Sequence, residues 1–295
     1  MRPQPVRIDL GGCTVTLLSG GRLRLDGGAM FGIIPKALWS STTAADDGNR
    51  IQLACNCLLV EWHSDTARRV IIEAGHGPKY AEKEQRIFEI DPANWLLPTL
   101  LASGIDPLSI SDVVLTHLHF DHAGGLTHEA DGRVQLTFPR ARVHVQRREF
   151  DDARANFGIM TNTYREENFA PLDDAGAWSL LDGPGVTIPA PRPGEPEIQA
   201  LHTPGHTRGH QSLLVAGRQR RLLFVGDVMP TRAHVGAPYN MAYDLFPIDN
   251  RASKRRLLQR AVEEDWLLVI DHEPETPLVR AVADGARHRL EPLQT

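Results

Sequence analysis

Short apolar runs of strand length dominate the first part of the chain: CTVTLLSG (13–20), GRLRLDGG (21–28), IQLACNCLLVEW (51–62) and ARRVIIEAG (67–75). Each closes on glycine or a polar turn, which predicts strands separated by tight reversals. A helical pattern follows over 92–103 (PANWLLPTLLAS), with Pro98 expected to bend or split it. Then come a strand in SDVVLTHL, a strand in ARVHVQ and a helix in REFDDARANF. The second half repeats the rhythm with strands in EIQALHT, QSLLVAG, RRLLFVGD and WLLVIDH, and a helix over NRASKRRLLQRAVEED. Strands in two batches, each accompanied by helices, predict two sheets packed together with helices outside. The Pro- and Gly-rich segment 182–197 reads as a surface loop within one domain spanning 1–295. Residues 27–50 read as a long irregular stretch carrying Met30, Phe31, Ile33, Ile34 and Trp39, and long loops are often functional.

Composition narrows the class. The chain is 41% hydrophobic and 23% charged, enough for a sizeable core. Lys plus Arg is 32 against 37 Asp plus Glu, a net charge of −5, which gives no case for nucleic acid or an anionic membrane. Arg218, Arg220 and Arg221 read as a solvated turn. Cys13, Cys55 and Cys57 are too few for a disulfide framework and read as buried free thiols of a reducing compartment. The N-terminus lacks a leader's apolar core and no stretch is apolar long enough to span a bilayer, so a cytoplasmic protein is expected.

Candidate chemistry concentrates in LTHLHFDHAGGL (115–126), where His117, His119, Asp121 and His122 fall within six positions. Residues two apart in an extended segment point the same way, so His117, His119 and Asp121 project together as strand DVVLT runs out. His122 arrives from the turn that follows. Imidazole and carboxylate are the usual ligands of zinc and related divalent ions. Three more candidates end predicted strands: His206 in TPGHTRGH, Asp227 in LLFVGD, and the Asp271–His272 pair closing WLLVIDH.

His117-x-His119-x-Asp121-His122 followed by His206, Asp227 and His272 resembles the metallo-β-lactamase superfamily over nearly the whole chain. The resemblance implies an α/β fold, an αββα sandwich of two mixed β-sheets flanked by helices, and two divalent metal ions, zinc foremost with Mn, Fe or Co as alternatives. It implies that His117, His119 and His206 hold one ion, that Asp121, His122 and His272 hold the other, and that Asp227 bridges them. Two such ions would share a hydroxide that attacks a carbonyl or phosphoryl centre. Asp121 would also relay a proton to the leaving oxygen.

The stretches FGIIPKALWS, TPGHTRGHQSLLV, GDVMPTRAHV and MAYDLFP resemble the branch holding N-acyl homoserine lactonases and methyl parathion hydrolase-like enzymes. They imply a small lactone or ester substrate; the alternative is a phosphotriesterase or phosphodiesterase working on the same site. Two departures stand out. Pro230 occupies the place where such lactonases carry a substrate-binding tyrosine, which leaves Tyr239, Tyr243 or His234 to supply a donor. Glu73-Ala74-Gly75 replaces the usual Asp-Thr-Gly, one methylene longer. Phe31 and Trp39 are candidates to contact an acyl chain, or else to pack or support a homodimer. His76 and His210 are candidates to support ligands, while His63, His128, His144 and His288 read as surface or satisfied core residues.

Overall fold

The computed structural model describes residues 6–158 and 163–293; the first five residues, part of the N-terminal stretch read for a leader, lie outside the described residues. Two seven-stranded sheets form, each with its strands side by side in chain order. The first contains Arg7–Asp9, Cys13–Asp26, Arg50–Trp62, Arg69–Ile72, Asp112–Val114, Arg142–Gln146 and Trp178–Leu181. It is antiparallel up to Arg69–Ile72 and parallel beyond. The second contains Gly185–Ile188, Glu197–His202, Gln211–Ala216, Arg221–Phe224, Leu267–Val269, Leu278–Asp284 and Arg287–Pro292, with one parallel pair, Arg221–Phe224 against Leu267–Val269. A hairpin, Thr127–Ala130 with Arg133–Leu136, stands apart.

The unbroken apolar runs follow from layering. In a strand, alternate side chains face opposite sides, and here both sides are covered. Leu58, Val60, Ile72, Val114, Leu213, Val215, Leu222, Phe224, Leu267 and Val269 meet between the sheets. Their chain neighbours Leu59, Ile71 and Val113 turn the other way, to pack with Leu96 and Leu100 of the helix Leu96–Ala102 and with Ala153 of the helix Arg147–Arg154. Leu214, Leu223 and Leu268 likewise meet Leu257, Leu258 and Ala261 of the helix Pro247–Glu263. The order is helix, sheet, sheet, helix, as the resemblance implied.

Several local expectations are corrected. CTVTLLSG and GRLRLDGG are one strand, Cys13–Asp26, whose pairing with Arg50–Trp62 shifts register between Ser19 and Arg22. Pro98 does not split its helix. It lies in the first turn of Leu96–Ala102, where a missing N–H removes no intrahelical bond. The loop expected at 182–197 contains the strand Gly185–Ile188, paired with Glu197–His202. The irregular stretch at 27–50 holds two short helices, Gly27–Phe31 and Lys36–Trp39.

That stretch also builds a fourth apolar cluster. Phe31 is 0% exposed and Trp39 1%, their rings stacked 5.0 Å apart and joined by Met30, Leu23, Ile51, Leu53 and Met241. The expectation that Phe31 and Trp39 contact an acyl chain is therefore corrected: both rings are enclosed by the protein's own side chains. Phe31→Ala and Trp39→Ala should each lower stability by about 3–5 kcal/mol, as large-to-small core changes do. Leu38, 58% exposed on the same short helix, should tolerate alanine within about 0.5 kcal/mol. Thermal unfolding of the three variants checks the contrast.

Candidate metal centre

All the candidate ligands leave from strand ends on one rim of the sandwich. Residues 115–122 follow Asp112–Val114, residues 203–210 follow Glu197–His202, residues 225–228 follow Arg221–Phe224, and residues 270–273 follow Leu267–Val269. Parallel or neighbouring strands thus deliver four loops to one place. Gly226, at φ +66°, makes the turn that aims Asp227 inward; a Cβ there would come within 2.8 Å of His210 Nε2.

Two buried clusters result. His117, His119 and His206 bring one donor atom each within 4.8 Å of one another, and so do His122, Asp227, Asp271 and His272. Asp227 stands between them. Its Oδ2 is 3.2 Å from His206 Nε2, 3.7 Å from His122 Nε2 and 3.9 Å from His117 Nε2, while its Oδ1 is 3.0 Å from His272 Nε2. Asp121 approaches the second cluster, with Oδ2 3.6 Å from His272 Nε2 and Oδ1 3.8 Å from His122 Nε2. The structure brings every residue of the expected ligand set together and adds Asp271, which sequence reading placed at a strand end without a role.

The nitrogens are presented as metal ligands would be. A carboxylate or carbonyl can only accept, so the ring nitrogen facing it must carry a proton, and in the neutral ring its opposite nitrogen is left with a free lone pair. His206 Nδ1 donates to Asp244 Oδ1 (3.0 Å), His122 Nδ1 to Glu73 Oε2 (3.2 Å), and His272 Nδ1 to the Ala54 carbonyl (2.7 Å). Each thereby turns Nε2 into the cluster. His206 Nε2 comes within 2.9 Å of His119 Nδ1, and His272 Nε2 within 3.3 Å of His122 Nε2. Buried His117 Nε2 and Asp227 Oδ1 have no hydrogen-bond partner. Lone pairs converging on lone pairs, with orphaned donor atoms beside them, fit divalent cations and little else.

Electrostatics agree. Burial alone would push every one of these histidines toward the neutral form, and it holds His117 and His119 well below the usual imidazole range. Burial is overcome at His122 by Asp121, Asp227, Asp271 and Glu73, and at His272 by Asp227 and Asp271, so both pKa values rise. At Asp227 the same burial is outweighed by His272, His206 and His122, and its pKa falls well below the carboxylate range. The cavity is built for positive charge.

The supporting contacts settle other expectations. His210 accepts the Asp227 backbone N–H at Nε2 (3.0 Å) and faces Thr203 with Nδ1; burial drives its pKa down to about 3, so it stays neutral and fixes the Asp227 backbone. Glu73, at φ +66°, uses its extra methylene to reach both His122 and the Thr116 N–H (2.6 Å). His76 points Nδ1 at Gly77 O and lies edge-on to Tyr80, bonded to no ligand. His63, His128 and His144 bond to Thr14, Thr137 and Asp112. Cys13, Cys55 and Cys57 are free and buried.

On the substrate side His234 is corrected. It is buried with Nδ1 on Thr231 Oγ1 (2.7 Å) and Nε2 on Met30 O (2.8 Å), so neither nitrogen can meet a substrate. Pro230 is buried and accepts the His272 N–H on its carbonyl (2.9 Å). Tyr239 and Tyr243 are half-buried. Sequence reading missed Asp244, although MAYDLFP contains it: its Oδ2 accepts from Asn240, Asn250 and the Met241 N–H while its Oδ1 holds His206.

Two mixed sheets between helices thus carry histidine and aspartate clusters on loops at one rim, an arrangement suited to metal ions. The chain belongs to the metallo-β-lactamase superfamily, whose profile matches residues 50–272. It is 29% identical over 188 residues to the N-acyl homoserine lactonase AttM of Rhizobium radiobacter, covering 63% of this chain and 66% of that one. It is 30% identical over 191 residues to the N-acyl homoserine lactonase AiiA of Bacillus thuringiensis subsp. kurstaki, covering 61% and 65%. The chain thus spans just under two thirds of the length of these relatives. A probable metal-dependent hydrolase from Staphylococcus aureus superposes over 98% of this chain and 100% of its own, with a TM-score of 0.83 and 28% identity. The dizinc quorum-quenching lactonase AidC shares the fold, with a TM-score of 0.78 and 17% identity over 99% and 98%. No helix among the described residues is long and apolar enough to cross a membrane.

Metal affinity should rise with pH. His122 and His272 hold protons firmly when no cation is present and must release them to bind one, so protons compete as pH falls. Chelator competition at about pH 6 and about pH 8 should show weaker binding at the lower value.

Proposed function

We propose that the chain is a dinuclear metal-dependent lactonase, acting as one catalytic domain on N-acyl homoserine lactones or related lactones and esters. The observation that carries the dinuclear reading is Asp227, one buried carboxylate within reach of four imidazoles from two separate clusters. His117, His119 and His206 would hold one ion; His122, His272 and Asp121 the other, with Asp227 between. Asp271 lies on the Nδ1 side of His122, 3.1 Å away, and so adds negative charge behind that ring beside Glu73. Two divalent ions, zinc foremost, would supply Lewis-acid polarisation of a carbonyl and acidify a bound water to near neutrality.

The chain's own residues then bind, orient and move protons. Tyr243 replaces the donor lost at Pro230. Its neighbours are pinned on both sides, Ala242 N–H to Ala29 O (2.8 Å) and Asp244 to His206. Burial, then Asp26 and Asp121, raise its pKa to about 12, so at neutral pH its hydroxyl keeps a proton to offer the substrate carbonyl as charge develops on it. Asp121 passes a proton to the ring oxygen as it leaves. Ile33, 73% exposed, and half-buried Ile34 offer apolar contact to an acyl chain in place of the enclosed Phe31 and Trp39.

The lactone reading is supported by the relatives named as N-acyl homoserine lactonases. A substrate panel tests it: acyl homoserine lactones should be opened faster than aryl esters or paraoxon-type triesters, with Tyr243→Phe cutting turnover about 10²–10³-fold, as loss of a carbonyl-oxygen donor does. Faster hydrolysis of a phosphotriester than of any lactone would replace this reading with the phosphotriesterase one. Elemental analysis should find two ions per saturated chain. A single ion, with Asp227→Ala still active, would contradict the dinuclear site.

A further inference from the structure

The helix Arg147–Arg154 has no part in the chemistry above, yet its first turn carries a carboxylate shut off from solvent. Glu149 is 0% exposed. Its Oε1 accepts the Leu118 backbone N–H and the Tyr164 hydroxyl, both at 3.0 Å, and its Oε2 accepts the Thr207 hydroxyl at 2.6 Å. Burial raises its pKa, and those three donors work against the rise. A carboxylate placed so deep needs partners, and these particular partners are informative.

Leu118 lies between His117 and His119, and Thr207 directly follows His206. One side chain therefore joins the two loops that supply the first cluster, at a residue adjacent to each of its three histidines. Tyr164, the third partner, lays its ring 5.0 Å from that of His119. The same helix grips the turn again through Asp152, which accepts from Arg208 Nε at 2.8 Å. Gly209 lets the turn lie directly on the helix, since a Cβ there would collide with the Glu149 backbone nitrogen. The second cluster is held otherwise, by Asp271, by the Ala54 carbonyl and by Glu73, which also accepts the Thr116 N–H beside His117 but touches neither His119 nor the turn 203–210.

We propose that Glu149 is a positioning residue that sets the spacing of His117, His119 and His206, and thereby the affinity of the first ion without that of the second. Without the clamp, the loop 115–122 and the turn 203–210 are tied to each other less tightly, and the three nitrogens must be gathered by the ion itself. Outer contacts of this kind are worth about 10–100-fold in metal affinity. The inference rests on the dinuclear reading.

Zinc bound to the full-length chain is titrated with a competing chelator, resolving two dissociation steps, with His206→Ala and His272→Ala assigning each step to its cluster. Glu149→Ala should weaken the step belonging to His206 by about 10–100-fold and leave the step belonging to His272 unchanged. Thr207→Val removes one donor while leaving the carboxylate and its other partners, so it should weaken the same step in the same direction even if Glu149→Ala does not fold. Equal weakening of both steps, or no change in either variant, would overturn the proposal. A wild-type chain that binds a single ion would contradict the dinuclear reading instead, and Glu149 would then be judged on that one step.

Discussion

A single buried carboxylate among imidazoles is the constraint on which the rest of this structure depends. Asp227 is almost without solvent and lies 3.0–3.9 Å from nitrogens of His272, His206, His122 and His117. Buried charge is costly unless paired, and buried imidazoles lacking partners are costly too. Side chains from four loops sharing that arrangement fit divalent cations. The fold then has to bring the four loops to one rim and hold them still.

The layered sandwich does so through its strand alternation. Leu222 and Phe224 anchor one strand between the sheets while Leu223 anchors it to the helix Pro247–Glu263, so the strand that ends at Asp227 is fixed on both faces. The strand ending at His272 is its parallel neighbour, with Leu222 opposite Leu267. Beyond the strands, each ligand loop has a buried acceptor: Glu73 for His122, Asp244 for His206, Ala54 O for His272, His210 for the Asp227 N–H, and Glu149 for the loops bearing His117, His119 and His206. Rigid strands set direction, and Glu73, Asp244 and the Ala54 carbonyl set ring orientation and tautomer.

Much of this was legible in the sequence. Runs such as LLFVGD and WLLVIDH declare strands buried on both faces, and the ligands closing them declare the rim. What escaped had weaker local signals. The strand Arg287–Pro292 forms one edge of the second sheet and carries exposed, charged positions such as Arg287 and Arg289, so no apolar pattern marks it; its partner Leu278–Asp284 has only the short apolar run LVRAVA, broken by Arg280. The enclosure of Phe31, Trp39 and His234 depends on contacts between residues some 200 positions apart, such as His234 Nε2 with Met30 O. Glu149 sits in REFDDAR, which reads as a solvated charged helix face. Only the three-dimensional meeting of that face with Leu118 and Thr207 shows otherwise.

The claim that Asp227 joins two ions into one centre is tested most directly by electron paramagnetic resonance of the manganese-loaded protein. A carboxylate shared by two manganese ions predicts an exchange-coupled spectrum at full loading, which collapses to an uncoupled mononuclear signal in Asp227→Asn. An uncoupled mononuclear signal in the fully loaded wild-type protein would contradict the account.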